Sequence, residues 1–285
     1  MREGTVVAAD GRVLAYAQMG ERNGIPVIFH HGTPGSRLAR HPEQAVYEGF
    51  RVVSCDRPGY GGSDRRLGRT VASVAEDTAA LADALEIDDF AVLGVSGGGP
   101  HALACACLLP RRVTRAAIVV GAAPSDDPEF DFLAGMAEIN VREFGAALEG
   151  REAVERELAP YVEATRADPD AVIDELAAQL PDYDREVFER PPVRAVLRES
   201  LLEAVRQGTA GWVDDDLAFA AGWGFRLQDV RTPVHLWQGE LDVLVPRSHG
   251  EYLARNIREA TFELVPGAGH MLLDHWRDVL EWLAP

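Results

Sequence analysis

Residues 94–98, Gly-Val-Ser-Gly-Gly, place a serine between glycines where a predicted strand meets a predicted helix. The apolar run 90–93 before them is typical of a buried strand, and 100–109 after them is typical of a helix. A Gly-x-Ser-x-Gly turn in this position is a nucleophile elbow, a tight turn that exposes the serine hydroxyl. The N-terminus of the following helix favours a developing negative charge there. We therefore predict that Ser96 is a catalytic nucleophile.

A histidine must activate this serine, because a hydroxyl group is a weak nucleophile until a base removes its proton. Of the eight histidines, His270 alone lies in a glycine-flanked loop between the last predicted strand and the last predicted helix. Loops that follow parallel strands meet at one edge of the sheet, which is also where the elbow must lie. We therefore predict His270 as the general base.

A carboxylate must orient that base. Asp242 follows the predicted strand 234–238 in the turn Gly-Glu-Leu-Asp. The chain order is then serine, aspartate, histidine, which is the order that accompanies a nucleophile elbow. Asp126 and Asp127 follow the predicted strand that ends near residue 120 and could supply the carboxylate instead. We predict Asp242 as the acid of the triad.

The negative charge of a tetrahedral intermediate needs two backbone donors, which together form an oxyanion hole. One donor is the amide of Gly97, directly after the serine. The other is expected in the loop 31–36, His-Gly-Thr-Pro-Gly-Ser, which follows the predicted strand 26–30. We predict the amide of Thr33, which lies between the glycine and the proline of this loop.

The elements that must position these residues alternate between strand and helix over most of the chain. Strand patterns recur at 5–9, 13–17, 26–30, 51–55, 90–95, 116–120, 234–238 and 261–265, and helical spacing at 71–85 and 270–283. Strands that are separated by helices pair in parallel through right-handed crossovers. The sequence therefore predicts an α/β fold with a mostly parallel, doubly wound sheet.

The middle of the chain departs from this pattern. Residues 126–223 contain no convincing strand, and 124–226 hold 24 acidic but only 10 basic residues. Helical stretches are predicted at 129–148, 152–167 and 192–206. We therefore predict a core domain formed by 1–124 and 227–285, with an inserted all-helical cap, or lid, at 125–226.

The composition excludes several classes of function. The net charge of −18 argues against binding to nucleic acid or to an anionic membrane surface. All 28 basic residues are arginine, which excludes lysine Schiff-base chemistry. The three cysteines form no disulfide framework, and no apolar stretch reaches the roughly 20 residues that span a bilayer. We expect a cytoplasmic enzyme that acts on a small-molecule substrate, with no cofactor or metal and no membrane partner.

Five motifs, in this order along the chain, resemble the α/β-hydrolase fold superfamily and, within it, the cap-bearing serine hydrolases. They are the segments 31–35, 56–64, 94–98, 239–242 and 269–270. The resemblance covers the whole chain and implies the nucleophile, acid and base at Ser96, Asp242 and His270. It implies a structural role for the glycine-rich segment Asp-Arg-Pro-Gly-Tyr-Gly-Gly-Ser-Asp, which follows a strand.

The resemblance also implies a reaction class. An esterase-like member of this family cleaves a carboxylic ester through an acyl-enzyme on Ser96. Haloalkane dehalogenases and epoxide hydrolases of the superfamily use aspartate at the elbow, so the serine argues against both. The same residues also fit a carbon–carbon bond hydrolase, a lyase or cyclase, a perhydrolase or an aminopeptidase, because one fold hosts many chemistries. They also fit a non-catalytic ligand-binding protein built on the same fold.

The end of the predicted cap carries large apolar side chains. Trp212, Trp223 and Phe225 are expected either to line a substrate pocket over the nucleophile or to attach the cap to the core. The arginines of the cap are expected to pair with its acids, which favours a neutral or apolar substrate. We expect the cap to control the choice of substrate and not the chemistry.

Overall fold

One eight-stranded sheet runs through the molecule, in a computed structural model that describes all residues 1–285. The strands are β1 (Arg2–Val7), β2 (Val13–Gly20), β3 (Ile25–His30), β4 (Phe50–Cys55), β5 (Phe90–Val95), β6 (Val113–Val119), β7 (Val234–Gly239) and β8 (Thr261–Val265). Their order in the sheet is β1-β2-β4-β3-β5-β6-β7-β8. β1, β2 and β4 pair antiparallel, and all the other pairs are parallel. The predicted mostly parallel α/β fold is confirmed.

Ten α-helices accompany the sheet. They are α1 (Val74–Ala84), α2 (Gly98–Leu108), α3 (Glu138–Glu149), α4 (Arg151–Ala167), α5 (Pro169–Ala177), α6 (Asp182–Glu189), α7 (Pro191–Ala204), α8 (Ala210–Ala220), α9 (Arg247–Asn256) and α10 (Trp276–Leu283). Helices α3 to α8 lie between β6 and β7, and we call them the inserted helices. None of the ten helices is long and apolar enough to cross a membrane.

The segment 129–137 is not helical, although the sequence predicted it as the start of a helix over 129–148. The structure places it in turns, and α3 begins only at Glu138. Its backbone bonds are isolated turn contacts, such as Phe130 N–H to the Asp127 carbonyl oxygen and Met136 N–H to that of Leu133. Pro128 lacks an N–H group, and Gly135 adopts a φ of 82°, which a right-handed helix does not contain.

Both faces of the sheet are covered, and β5 shows how the sequence achieves this. Side chains alternate along a strand, so Phe90 and Val92 enter one core while Ala91 and Leu93 enter the other. Helices α1, α2 and α9 cover the first face, and α10 covers the second. Full burial of a side chain such as valine, leucine or phenylalanine stabilises the fold by roughly 1.5–3 kcal/mol. A central strand of a parallel sheet therefore consists almost entirely of apolar residues.

The parallel register brings four loops together at one edge of the sheet. His30 at the end of β3 lies opposite Gly94 of β5, and Gly239 at the end of β7 lies opposite Val265 of β8. Since all four strands run in the same direction, the loops that follow them lie at their shared carboxyl edge. In chain order, these four loops contain Thr33, Ser96, Asp242 and His270.

Candidate active site

The elbow at Ser96 has the backbone conformation of a strained turn. Ser96 adopts a φ of 54°, in the left-handed region that a serine rarely occupies. Two hydrogen bonds hold it there, from the Ser96 amide to the Val119 carbonyl oxygen and from the Gly99 amide to the Ser96 carbonyl oxygen, at 2.9 and 2.8 Å. A Cβ atom at Gly98 would collide with the carbonyl oxygen of His30, so only glycine fits at that position.

His270 is oriented by a buried carboxylate. Its Nδ1 atom lies 2.8 Å from Oδ2 of Asp242, and the Asp242 side chain is fully buried. The other oxygen, Oδ1, accepts hydrogen bonds from the amides of Leu244 and Val245, both at 2.9 Å. These bonds fix the carboxylate in one orientation, so that the Asp242–His270 bond leaves Nε2 as the free ring nitrogen.

Burial and the carboxylate act on His270 in opposite directions. Burial alone would lower the pKa of the imidazole. The charge of Asp242 and its hydrogen bond outweigh burial, so the pKa is raised above its usual value of 6.5. His270 is therefore set to accept a proton, as a general base must.

Asp127, one of the two acids of the earlier loop, bonds elsewhere. Asp127 accepts a hydrogen bond from the Tyr252 hydroxyl at 2.6 Å and another from the amide of Glu129. Asp242 is thus the carboxylate that the structure joins to His270. Ser96 and His270 line the same cavity, with no hydrogen bond between their side chains in this structure. Such bonds are often long before a substrate binds.

Two free amides lie beside the serine. Neither the Gly97 nor the Thr33 amide donates a hydrogen bond within the protein. The two residues are in close contact, because a Cβ atom at Gly97 would lie 3.2 Å from the Thr33 nitrogen. Gly97 is buried and Thr33 lines the cavity, so this pair of amides without partners is available to an oxygen atom of a ligand.

Comparison with known proteins places this arrangement in a family. The family model described as alpha/beta hydrolase fold matches residues 25–275. The chain belongs to the alpha/beta hydrolase fold family. The expected membership of the superfamily is confirmed, and the protein is an enzyme of the α/β-hydrolase superfamily.

The relatives of this hydrolase include proteins of more than one description. Non-heme chloroperoxidase from Streptomyces lividans is 38% identical over 125 residues, which are 42% of this chain and 45% of that protein. Uncharacterized hydrolase YcgS from Bacillus subtilis is 25% identical over 278 residues, covering 93% of this chain and 91% of the relative. A solved thermophilic esterase from Thermogutta terrifontis has a TM-score of 0.71 at 24% identity, covering 99% of this chain and 98% of that one. This last likeness shows the fold.

The inserted helices of the hydrolase hold the loop that carries Thr33. Asp215 of α8 accepts a hydrogen bond from the Thr33 hydroxyl at 2.8 Å. It also accepts from Arg57 through Nε at 3.0 Å and Nη2 at 2.5 Å, and it forms an ion pair with Arg69 at 2.5 Å. Burial alone would raise the pKa of Asp215, but the charges of the two arginines hold it well below its usual range. The carboxylate is therefore ionised and fully paired.

Arg57 extends this contact along the same loop. Its guanidinium donates to the carbonyl oxygens of His31 and Gly32, at 2.5 and 3.0 Å, and to the Thr33 hydroxyl at 2.9 Å. One arginine thus joins three consecutive loop residues to an acid of α8. The segment 56–64 was expected to be structural, and this arginine gives it a position next to the predicted oxyanion hole.

A second acid of the inserted helices holds the histidine loop. Asp184 of α6 is fully buried and accepts hydrogen bonds from the amides of His270 and Met271, at 3.0 and 2.8 Å. The side chain lies so close to Gly269 that a Cβ atom there would collide with it. The backbone of the predicted general base is therefore attached to an inserted helix.

A cavity of about 280 Å³ opens at Ser96 and His270. Its lining is mostly apolar and comes largely from the inserted helices α3, α4, α5 and α7, through side chains such as Ile139, Ile173 and Leu197. A concave, apolar site with a few convergent polar groups is typical of a pocket for a small molecule.

The three predicted pocket aromatics do not lie together. Trp212 lines the cavity and donates from its indole Nε1 to Glu143 at 2.7 Å. Trp223 and Phe225 do not line it, which corrects the expectation for both. They follow α8 where the chain returns to the sheet, and Trp223 packs into the core under the first face with Phe225 against it, at 5.8 Å between ring centroids. They join the inserted helices to the core.

Sequence reasoning missed Arg57, Asp184, Asp215 and Glu143. One signal was present, because Asp214, Asp215 and Asp216 follow one another in α8, a helix that is otherwise apolar. Consecutive residues point in different directions around a helix. Three consecutive acids therefore cannot all face the solvent when the rest of the helix is apolar. No comparable signal marks Asp184, whose helix is rich in charged residues.

Proposed function

We propose that this hydrolase cleaves carboxylic esters of small, largely apolar molecules through an acyl-enzyme on Ser96. The observation that carries the proposal is the convergence of an elbow serine, a carboxylate-bound histidine and two free amides on one apolar cavity. Each of these groups has a role in acyl transfer, and none of them needs a cofactor for it.

In the first half-reaction, Ser96 Oγ attacks the carbonyl carbon of the ester while Nε2 of His270 takes the hydroxyl proton. The amides of Thr33 and Gly97 stabilise the oxyanion of the tetrahedral intermediate. Asp242 holds the imidazole in the required tautomer and stabilises the imidazolium. When the carbon–oxygen bond to the leaving group breaks, His270 gives its proton to the departing alcohol.

In the second half-reaction, water attacks the carbonyl carbon of the acyl-enzyme. His270 again removes a proton and then returns it to Ser96 Oγ as the acid product leaves. The inserted helices close the site over the acyl chain, and the segment 125–226 acts as a cap in this proposal. The apolar lining binds the chain by burying it, at about 25 cal/mol per Å² of apolar surface.

A second candidate reaction uses the same acyl-enzyme with hydrogen peroxide in place of water. Attack by hydrogen peroxide would release a peracid and restore the serine. The similarity to bifunctional esterase/perhydrolase DCH from Acinetobacter calcoaceticus, which is 31% identical over 124 residues, favours perhydrolysis as this second candidate. It is tested by measuring peracid formation when an ester and hydrogen peroxide are supplied together.

A fluorophosphonate probe combined with a panel of p-nitrophenyl esters tests the proposal. The proposal requires covalent labelling that depends on Ser96, together with turnover of the esters. Labelling without turnover of any ester would replace the esterase by a more specialised reaction, such as carbon–carbon bond hydrolysis, a lyase or cyclase reaction or aminopeptidase activity. Absence of labelling would indicate a non-catalytic ligand-binding protein.

A further inference from the structure

The buried acids of the inserted helices differ in their partners. Asp214 bonds Arg65 and Arg151, and Asp215 bonds Arg57 and Arg69. Two other acids, Glu143 of α3 and Asp216 of α8, are equally removed from solvent, at 8% and 0% exposure, and no arginine bonds them. Asp184 has no arginine either, but two backbone amides donate to it, so Glu143 and Asp216 are the buried acids that neither arginines nor backbone amides bond.

Glu143 and Asp216 form a carboxyl pair that holds a proton. Their side chains are close enough for each carboxyl group to affect the pKa of the other. The only other donor to Glu143 is the indole of Trp212, and neither oxygen of Asp216 accepts a hydrogen bond from any other group. Burial raises the pKa of Glu143 to about 7 and that of Asp216 well above its usual range. Two buried carboxyl groups in contact cannot both ionise, so they share a proton.

Glu143 faces the cavity, whereas Asp216 lies behind it. Glu143 lines the same cavity as Ser96, next to the rings of Tyr161 and Trp212, whose centroids are 6.4 Å apart. When Glu143 is ionised, the pair thus places a negative charge against two aromatic rings at the wall of an apolar cavity.

The lining offers no positive charge that would neutralise this acid. Arg40 is the only basic residue in it besides the imidazole of His270, and it bonds Glu199 at 2.6 Å and the Leu38 carbonyl oxygen at 2.8 Å. Glu175, also in the lining, adds a second negative charge and forms no ion pair with an arginine. The protein therefore leaves this part of the cavity anionic.

We propose that Glu143, supported by Asp216, binds a cationic amine carried by the substrate. An ammonium group supplies the hydrogen-bond donors and the positive charge that the pair lacks, and the rings of Trp212 and Tyr161 attract it further. A carboxylate-bearing substrate is repelled from the same place. The inference rests on the proposed function, and it replaces the expected neutral substrate by one with an apolar body and a positively charged amine.

Linear alkylammonium ions and the matching alcohols form the test. The series from butylamine to octylamine is compared with the alcohols of equal length as competitive inhibitors of p-nitrophenyl acetate hydrolysis at pH 8. The ammonium ions are expected to inhibit at least about tenfold more tightly at the best length. The variant E143Q should abolish this preference, since glutamine keeps an oxygen for the Trp212 indole but carries no charge. The control E149Q, an exposed position on the same helix, should retain it.

The second variant, D216N, separates the two acids. An asparagine amide can donate to Glu143, so Glu143 ionises and the preference for ammonium should persist or grow. Alcohols that bind the wild type as tightly as the ammonium ions would overturn the inference, as would an undiminished preference in E143Q. The wild-type comparison needs no variant, so it decides the matter even if E143Q fails to fold. Calorimetric titration of S96A with hexylammonium and hexanol gives the same comparison without turnover, so a failed esterase assay does not hide the outcome.

Discussion

The loops at the carboxyl edge of the sheet and the inserted helices divide the site between them in an unexpected way. The sheet loops supply all the groups to which we assign a role in bond making, and these follow the strands that position them. The inserted helices supply the cavity wall and also two buried acids, Asp184 and Asp215, that bond the catalytic loops. Closure of the site and alignment of its reacting groups are therefore coupled through these acids.

Within the inserted helices, Asp215 and Asp216 are sequence neighbours with opposite surroundings. Asp215 bonds two arginines and a hydroxyl, while Asp216 has only another acid beside it. The first is ionised and attaches α8 to the loop that carries Thr33, and the second lies behind the cavity wall, next to Glu143. Neighbouring acids on one helix therefore serve positioning in one case and, in our proposal, substrate selection in the other.

Replacement of the nucleophile should have the largest effect of any change at the sheet edge. Ser96→Ala is expected to lower kcat/KM for p-nitrophenyl esters by about 10³-fold or more, because the members of a triad act as a unit. Steady-state kinetics and circular dichroism should show lost turnover in a folded protein. Ser248→Ala is the matched control, since its hydroxyl forms no hydrogen bond and does not line the cavity. Retention of more than about a tenth of the wild-type rate in Ser96→Ala would remove this serine from the mechanism.

Replacement of the orienting acid should come next and should also move the pH profile. In the wild type, kcat/KM should fall as the pH falls through the pKa of His270, which lies above 6.5, because a protonated imidazole cannot act as base. Asp242→Asn is expected to lower the rate by roughly 10²–10⁴-fold. It should also shift the acid limb to lower pH, since the charge that raises the pKa is gone.

Asp127→Asn serves as the control for this prediction and should change neither the rate nor the acid limb of the pH profile. If Asp242→Asn leaves the rate unchanged while Asp126→Asn or Asp127→Asn lowers it, the acid of the triad lies in the earlier loop.

Asp215→Asn tests whether the inserted helices take part in aligning the chemistry. It leaves Arg57 and Arg69 buried without their carboxylate, a change that destabilises a protein by about 3–5 kcal/mol. If Thr33 is also displaced, kcat per folded molecule should fall by roughly 10–100-fold with a smaller change in KM. Thermal unfolding and active-site titration separate the two effects.

Asp214→Asn is the control for that variant, because the arginines that bond Asp214 are 34% and 40% exposed and stay in contact with water when the carboxylate is removed. An unchanged kcat per folded molecule in Asp215→Asn would restrict this acid to a role in stability.

The smallest predicted effects distinguish the tryptophans. Trp212→Ala should change the preference among ester chain lengths more than the rate on a small acetate, because Trp212 lines the cavity. Trp223→Ala should lower the melting temperature, with an expected loss of about 3–5 kcal/mol, and leave the chain-length preference as it was. The ratio of kcat/KM for the octanoate ester to kcat/KM for the acetate ester, determined for each variant, measures the chain-length preference. Equal ratios in the two variants would mean that the cavity wall is not formed as described.

The fold and the placement of the three motifs at the sheet edge could be predicted from the sequence because their signals are local. The elbow, the histidine loop and the aspartate turn each combine a short motif with the strand before it. The contacts of Asp184 and Asp215 could not be predicted, since they join residues 86 and 158 positions apart in the chain. The same limit applies to Trp223, because a tryptophan suits a pocket and a core equally well. Its position depends on where the chain returns to the sheet.

The acyl-enzyme on Ser96 can itself be observed, which tests the proposed mechanism without a substitution. The wild-type protein is mixed with a p-nitrophenyl ester and quenched with acid during turnover, and intact mass spectrometry is followed by peptide mapping. We predict an added mass equal to one acyl group, carried by the peptide that contains Ser96 and absent from Ser96→Ala. An adduct on another residue, or ester turnover with no adduct under conditions that release the first p-nitrophenol in a burst, would contradict the mechanism.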